Sequence, residues 1–206
     1  MSEIDYQRIE RAIRAIRYAA DNGARIINWS GFLNDDRPDK LASLKDAIRY
    51  AASKNALLVA AAGNDGRDID RDENCLYPQC TESENIVNVA EVDFKGELYK
   101  YKIDGQTRGS NWGIRRVQIA AIGDNFTTSL KDNRSVYGVQ GGTSNAAPVV
   151  SGVAGLVLSV RPKLTAVQLK EILIKSVTPL DSLKDKIASG GVVNAYRAVK
   201  LAVTQY

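Results

Sequence analysis

The sequence predicts an α/β fold built on a mostly parallel sheet, and three observations carry that prediction. Helix-like and strand-like patterns alternate with short links from Ile9 to Ala62, the signature of parallel strands joined by crossover helices. The strand-like runs are apolar on both faces, as in a sheet covered by helices. The segment Ala146 to Val160 is apolar nearly all round, the pattern of a helix buried through the centre of a domain.

Each element has its own signal. Ile9, Ile13, Ile16 and Ala20 fall on one helical face, and Asn22-Gly23 supplies a C-terminal stop. Ala24 to Trp29 reads as a short strand buried on both faces. Asn34 to Asp39 is a polar loop, and Leu41, Leu44, Ile48 and Ala51 mark a second helical face. Ala56 to Ala62 is a second buried strand, closed by Gly63-Asn64-Asp65-Gly66. Asp65 to Glu84 is long and charged, while Ile86 to Val92 and Val117 to Ala121 read as strands. Pro162 stops the long apolar helix. Thr165 caps an amphipathic helix bearing Val167, Leu169, Ile172 and Leu173, and a last helix runs from about Val193 to Ala202. No internal repeat or interdomain linker interrupts residues 1–206, which read as one domain.

The 206 residues suffice for a buried core, with 44% hydrophobic and 25% charged residues. The net charge of +4 is modest and its basic residues are scattered, which argues against nucleic acid as a partner. No run is read as long enough to span a membrane, so no membrane role is expected. The polar start Met-Ser-Glu-Ile-Asp is not a secretory signal. Cys75 and Cys80 flank Leu76-Tyr77-Pro78-Gln79. They form either a small-loop disulfide or two free thiols. A metal site there would lack ligands, because the chain has no histidine and no third cysteine. Asp68, Asp70 and Asp72 alternate as in a calcium loop, but Glu73 stands where an EF-hand needs glycine and Gln79 where it needs its last glutamate. The charged stretch is therefore read as a solvated loop, and no metal site is assigned.

Chemistry concentrates at Gly141-Gly142-Thr143-Ser144-Asn145-Ala146-Ala147-Pro148. Ser144 sits where loop becomes helix. The glycines let the backbone turn tightly and let a substrate approach. Unpaired N–H groups and the helix dipole at that point favour an oxyanion. Pro148 is expected in the first turn, where its missing N–H costs little. A Gly-Thr-Ser string alone is more often a helix cap. The six fixed residues of Gly-Thr-Ser-x-Ala-Ala-Pro would recur by chance about once in ten million starts, so a cap alone is a poor account. Ala146 breaks the Gly-x-Ser-x-Gly elbow of α/β-hydrolases.

These motifs resemble the subtilisin-like serine proteases, over nearly the whole chain. Gly142 to Gly152 is similar to the family's nucleophile segment, with Asn145 where methionine is usual. Ala60-Ala61-Ala62-Gly63-Asn64-Asp65-Gly66 resembles the segment that supplies an oxyanion-hole asparagine, and Ile27-Asn28-Trp29-Ser30-Gly31 the strand that pairs with substrate. Tyr77-Pro78, Ser110-Asn111-Trp112-Gly113, Val117 to Ala121 and Gly191-Val192-Val193-Asn194-Ala195 match smaller landmarks in order. The resemblance implies a three-layer domain whose Ser144 attacks a peptide carbonyl in an extended polypeptide. The Asn64 side chain and the Ser144 N–H then bind the oxyanion. Ser30, Gly31, Ala61, Ala62 and Gly63 form the walls of the pocket for the residue before the cleaved bond. The resemblance also implies a secreted or extracytoplasmic location and a capacity for calcium, through sites not recognisable in this sequence.

The family's aspartate and histidine lie in its N-terminal third, on a strand–helix segment with no counterpart here. A serine without a base is a poor nucleophile. Residues 1–206 are thus expected to be inactive alone, to expose a sheet edge, and to be marginally stable or prone to associate. A complementary N-terminal fragment carrying aspartate and histidine is an implied partner. The competing reading is a non-catalytic peptide-binding relic. Sedolisins, which need no histidine, place aspartate where Asn64 stands and a Glu-x-x-x-Asp pair upstream, and this chain has neither.

Overall fold

The computed structural model describes residues 3–33, 37–131 and 134–206. Helix α1 (Glu3–Asp21) leads into strand β1 (Ile26–Trp29), helix α2 (Pro38–Ser53), and strands β2 (Leu57–Ala61) and β3 (Ile86–Val92). Two hairpins follow on either side of β6 (Ile119–Ile122): β4 (Lys100–Ile103) with β5 (Gln106–Gly109), and β7 (Asn125–Lys131) with β8 (Arg134–Gln140). Helices α3 (Thr143–Val160) and α4 (Ala166–Lys175), short strands β9 (Thr178–Pro179) and β10 (Gly191–Val192), and helix α5 (Ala195–Gln205) complete the chain.

The main sheet has the order β1-β2-β3-β6-β10-β9, parallel except for the β9–β10 pair. Alternation across β2 explains its continuous apolar run. Leu57, Val59 and Ala61 face one core with Val150, Ala154 and Leu169 of α3 and α4. Leu58 and Ala60 face a second core with Ile9, Ile16, Leu44 and Ile48 of α1 and α2. Successive strand residues point to opposite faces, so a strand between two helix layers has no polar side. The result is the three-layer architecture expected.

Several local expectations change. Strand β1 is not buried on both faces. It ends the sheet, pairing only with β2 among the described residues, and Asn28 is exposed. Helix α2 starts at Pro38, so the loop is shorter than Asn34–Asp39, and residues 34–36 lie outside the described residues. Strand β6 and helix α5 each begin two residues later than the patterns suggest. Asn194, rather than Val193, opens α5, accepting from Arg197 N at 2.9 Å. Thr165 caps α4 as expected and completes a reciprocal box with Gln168.

Helix α3 is buried on one side only. Ala146, Ala147, Val150, Val153, Ala154 and Val157 are inward, whereas Leu156 is 51% exposed and Pro148 and Gly152 face outward. Its 18 residues are long and apolar enough to cross a membrane, contrary to the sequence reading. Its packing on β1, β2, β3, β6 and α5 accounts for that composition as a core helix.

Candidate active site

Helix α3 begins at Thr143, with Gly142 as its N-cap at φ +109°, a conformation that L side chains rarely adopt. This early start corrects the placement of Pro148. The proline lies in the second turn, where its nitrogen should have donated to the Ser144 carbonyl. The hydroxyl of Ser30 takes that role, donating to Ser144 O at 2.7 Å. Ser144 Oγ in turn makes, among the described residues, only a long contact, 3.5 Å, to Ser30 O. The end of β1 and the start of α3 are thus locked at the residue that carries the nucleophile motif.

Thr143 is the hub of the site and is fully buried. Its Oγ1 accepts from Gly63 N at 3.1 Å and donates to Asn64 Oδ1 at 2.9 Å. Its backbone N–H donates to the same Asn64 oxygen at 2.9 Å. An N–H can only donate, so the Asn64 oxygen must face Thr143 and its Nδ2 must point away. The turn after β2 is thereby tied to the residue preceding Ser144. The early donors of this helix are otherwise committed: Gly142 N to Glu91, Thr143 N to Asn64, and Asn145 N and Ala146 N to Gly142 O. Among the described residues, Ser144 N and Asn64 Nδ2 meet no acceptor.

The other sequence-assigned residues gather around this point. Ser30 and Gly31 follow β1, and Ala61, Ala62 and Gly63 end β2 and open the next turn. Gln79, which the sequence marks only as a mismatch to a calcium loop, joins the two segments. Its Nε2 donates to Gly31 O at 2.9 Å and to Ala61 O at 2.5 Å, from a side chain only 1% exposed. Asn111 staples the second segment, donating to Ala62 O and accepting from Asp65 N and Arg67 N. Both residues sit far from their partners in sequence, so no local spacing could announce them.

A model of the subtilase family matches residues 7–198. The chain belongs to the subtilase family. It is 34% identical over 211 residues to a subtilase cytotoxin subunit from Escherichia coli, covering 93% of this chain and 58% of that protein. It is 31% identical over 186 residues to the major intracellular serine protease of Bacillus subtilis (strain 168), covering 88% of this chain and 53% of the relative. A lanthipeptide protease superposes with a TM-score of 0.76 at 27% identity, over 94% of this chain and 66% of its own. The chain therefore spans little more than half the length of these curated relatives.

Within this subtilase domain, Glu91 is the feature that the sequence reading passed over. It lies in β3 and is 1% exposed, an unusual place for a carboxylate. Its Oε1 accepts from Gly142 N at 2.7 Å. Burial pushes the carboxyl up to about 7, with the Gly142 N–H pulling the other way and Asp124 adding to the rise. The detectable signal was a charged residue inside the mostly apolar run Ile86–Val92, which also holds Asn88.

The charged stretch is organised by arginine rather than simply solvated. Asp70 accepts from the backbone N–H groups of Arg115 and Arg116. The Arg116 side chain, 8% exposed, pairs with Asp72 and Glu82 and holds Asp72 below the ordinary carboxylate range. Among the described residues no cluster of three metal-ligating side chains forms. Cys75 and Cys80 are disulfide-bonded, which decides between the two sequence alternatives.

Proposed function

We propose that this subtilase domain is the nucleophile-bearing part of a serine endopeptidase acting on extended polypeptides. The observation that carries the reading is the pair of uncommitted donors, Ser144 N–H and Asn64 Nδ2, beside a serine hydroxyl. Ser144 Oγ would attack the scissile carbonyl carbon and lose its proton to a base. The carbonyl oxygen would become an oxyanion held by those two donors. Collapse would expel the amine, protonated by the same base, and leave an ester on Ser144 that water hydrolyses. Ser30 and Gly31 on one side and Ala61 to Gly63 on the other would line the pocket for the residue before the cleaved bond.

The base must come from outside residues 1–206, which contain no histidine. The open edge of β1 and the outward face of α3, beside Ser144, are where an aspartate- and histidine-bearing segment would pack. Without it, activity would fall toward the residue of about 10³–10⁴-fold over water known from subtilisin, a member of this same family. The paired cysteines favour an oxidising, extracytoplasmic compartment. The missing histidine also favours a second reading, a domain that holds peptides without cutting them.

The test is hydrolysis of a fluorogenic peptide by residues 1–206, alone and combined with a subtilase segment bearing aspartate and histidine, beside Ser144→Ala controls. The proposal expects turnover only in the combined wild type. Turnover by residues 1–206 alone that Ser144→Ala removes would overturn the claim of an external base. Peptide binding without turnover in the combination would support the second reading.

A further inference from the structure

Resting on the protease reading above, we propose that Glu91 is a positioning residue that braces the nucleophile turn against the sheet. Three geometric facts point to it. The carboxylate leaves β3 in the interior and reaches Gly142 N at 2.7 Å, two residues before Ser144. The space it crosses exists because Gly123 is a glycine, and Gly141 lies close by. A Cβ at Gly123 would stand 2.3 Å from Oε1 and 2.6 Å from both Cδ and Cγ, and one at Gly141 would stand 3.3 Å from Oε1. No real Cβ tolerates the first contact, and a side chain this buried has nowhere to retreat. Among the described residues no cation forms an ion pair with Glu91.

The purpose follows from the backbone it holds. Gly142 is the N-cap of α3, in a backbone conformation that needs glycine, and its N–H faces the buried Glu91 carboxylate. With Glu91 on Gly142 N and Asn64 on Thr143 N, two consecutive amides are bound to the sheet side. The next amide, that of Ser144, is the first left free to meet an oxyanion. Glu91 touches no reacting atom. It acts by fixing where the turn ends and the free donor begins.

The groups facing the carboxyl are the Gly142 N–H, Asp124 from the segment after β6, and Tyr99 from the segment before β4. The neutral carboxyl retains a carbonyl oxygen for Gly142, so the brace persists on protonation but weakens. The amide therefore reports the charge on Glu91.

The experiment is solution NMR on residues 1–206, and it needs no catalysis. In the wild type the Gly142 amide resonance should shift with a single inflection near pH 7, and Glu91→Gln should abolish it. Glu91→Ala should speed Gly142 hydrogen exchange about 10- to 100-fold relative to amides of β2, the equivalent of a lost charge-assisted hydrogen bond. Glu91→Gln, which keeps an acceptor, should stay within about threefold of wild type. A Gly142 resonance without the inflection, or one whose inflection survives Glu91→Gln, would overturn the proposal. So would unchanged exchange in Glu91→Ala. If Glu91→Ala does not fold, the wild-type and Glu91→Gln titrations decide alone. In the combined enzyme, Glu91→Ala should lower kcat more than it raises KM, with Glu91→Gln restoring most of it. Failure of the NMR test with turnover intact sinks the brace and leaves the protease reading standing. The reverse outcome sinks only the latter.

Discussion

Replacing Glu91 by glutamine should stabilise the protein in alkaline buffer and leave it unchanged in acid. The buried carboxyl is pushed from an ordinary 4.5 up to about 7. Below pH 4.5 it is protonated in both folded and unfolded chains and shifts nothing. Between these values the unfolded chain releases the proton and the folded one keeps it. The unfolded state then binds fewer protons, so stability falls as pH rises, by at most about 1.4 kcal/mol per pH unit. Across the window the loss approaches about 3 kcal/mol, and above pH 7 it stays constant. Glutamine fills nearly the same volume and cannot ionise. Urea unfolding of wild type and Glu91→Gln at pH 4, 5.5 and 8 measures the difference directly. The two should coincide within about 1 kcal/mol at pH 4, and the variant should lead by up to about 3 kcal/mol at pH 8. A constant difference at all three pH values, or a wild type more stable than the variant at pH 8, would refute the reasoning.

Other consequences follow from the same contacts. Thr143→Val keeps the shape of the buried hub but orphans Gly63 N and removes a bond to Asn64. It should cost about 2–4 kcal/mol in denaturant melts. Ser30→Ala should cost about 1 kcal/mol, because Ser144 O loses the donor that replaces the missing Pro148 N–H. In a Pro148→Ala background that cost should nearly vanish, so a double-mutant cycle should return a coupling of about 1 kcal/mol. Reducing the Cys75–Cys80 bond, which closes a short loop, should cost about 2 kcal/mol, readable as a shift in the urea midpoint under reductant.

Strand β2 was legible because it contacts helices on both faces, which leaves a continuous apolar run. Hairpin β4–β5 was not legible. Lys100, Lys102, Thr107 and Arg108 are exposed, so burial imposed no alternation on that stretch. The edge position of β1 was equally hidden. Ile26 and Ile27 contact both cores and look like a central strand, while its openness depends on what lies beside it. At the site, Ser144 and Asn64 announced themselves through short contiguous motifs. Gln79 and Glu91 did not, since Gln79 meets Gly31 across 48 residues and Glu91 meets Gly142 across 51. Pro148 was misplaced because the helix start depends on Asn64 capturing Thr143 N, a contact across 79 residues.

The most direct measurement is kcat for Asn64→Ala against wild type in the combined enzyme, with peptide as substrate. If the carboxamide and the Ser144 amide share one oxyanion, kcat should fall about 10²–10³-fold with KM little changed, the loss known for the matching donor in subtilisin, of this same family. An Asn64→Ala enzyme as fast as wild type would show that the two groups do not serve a common centre.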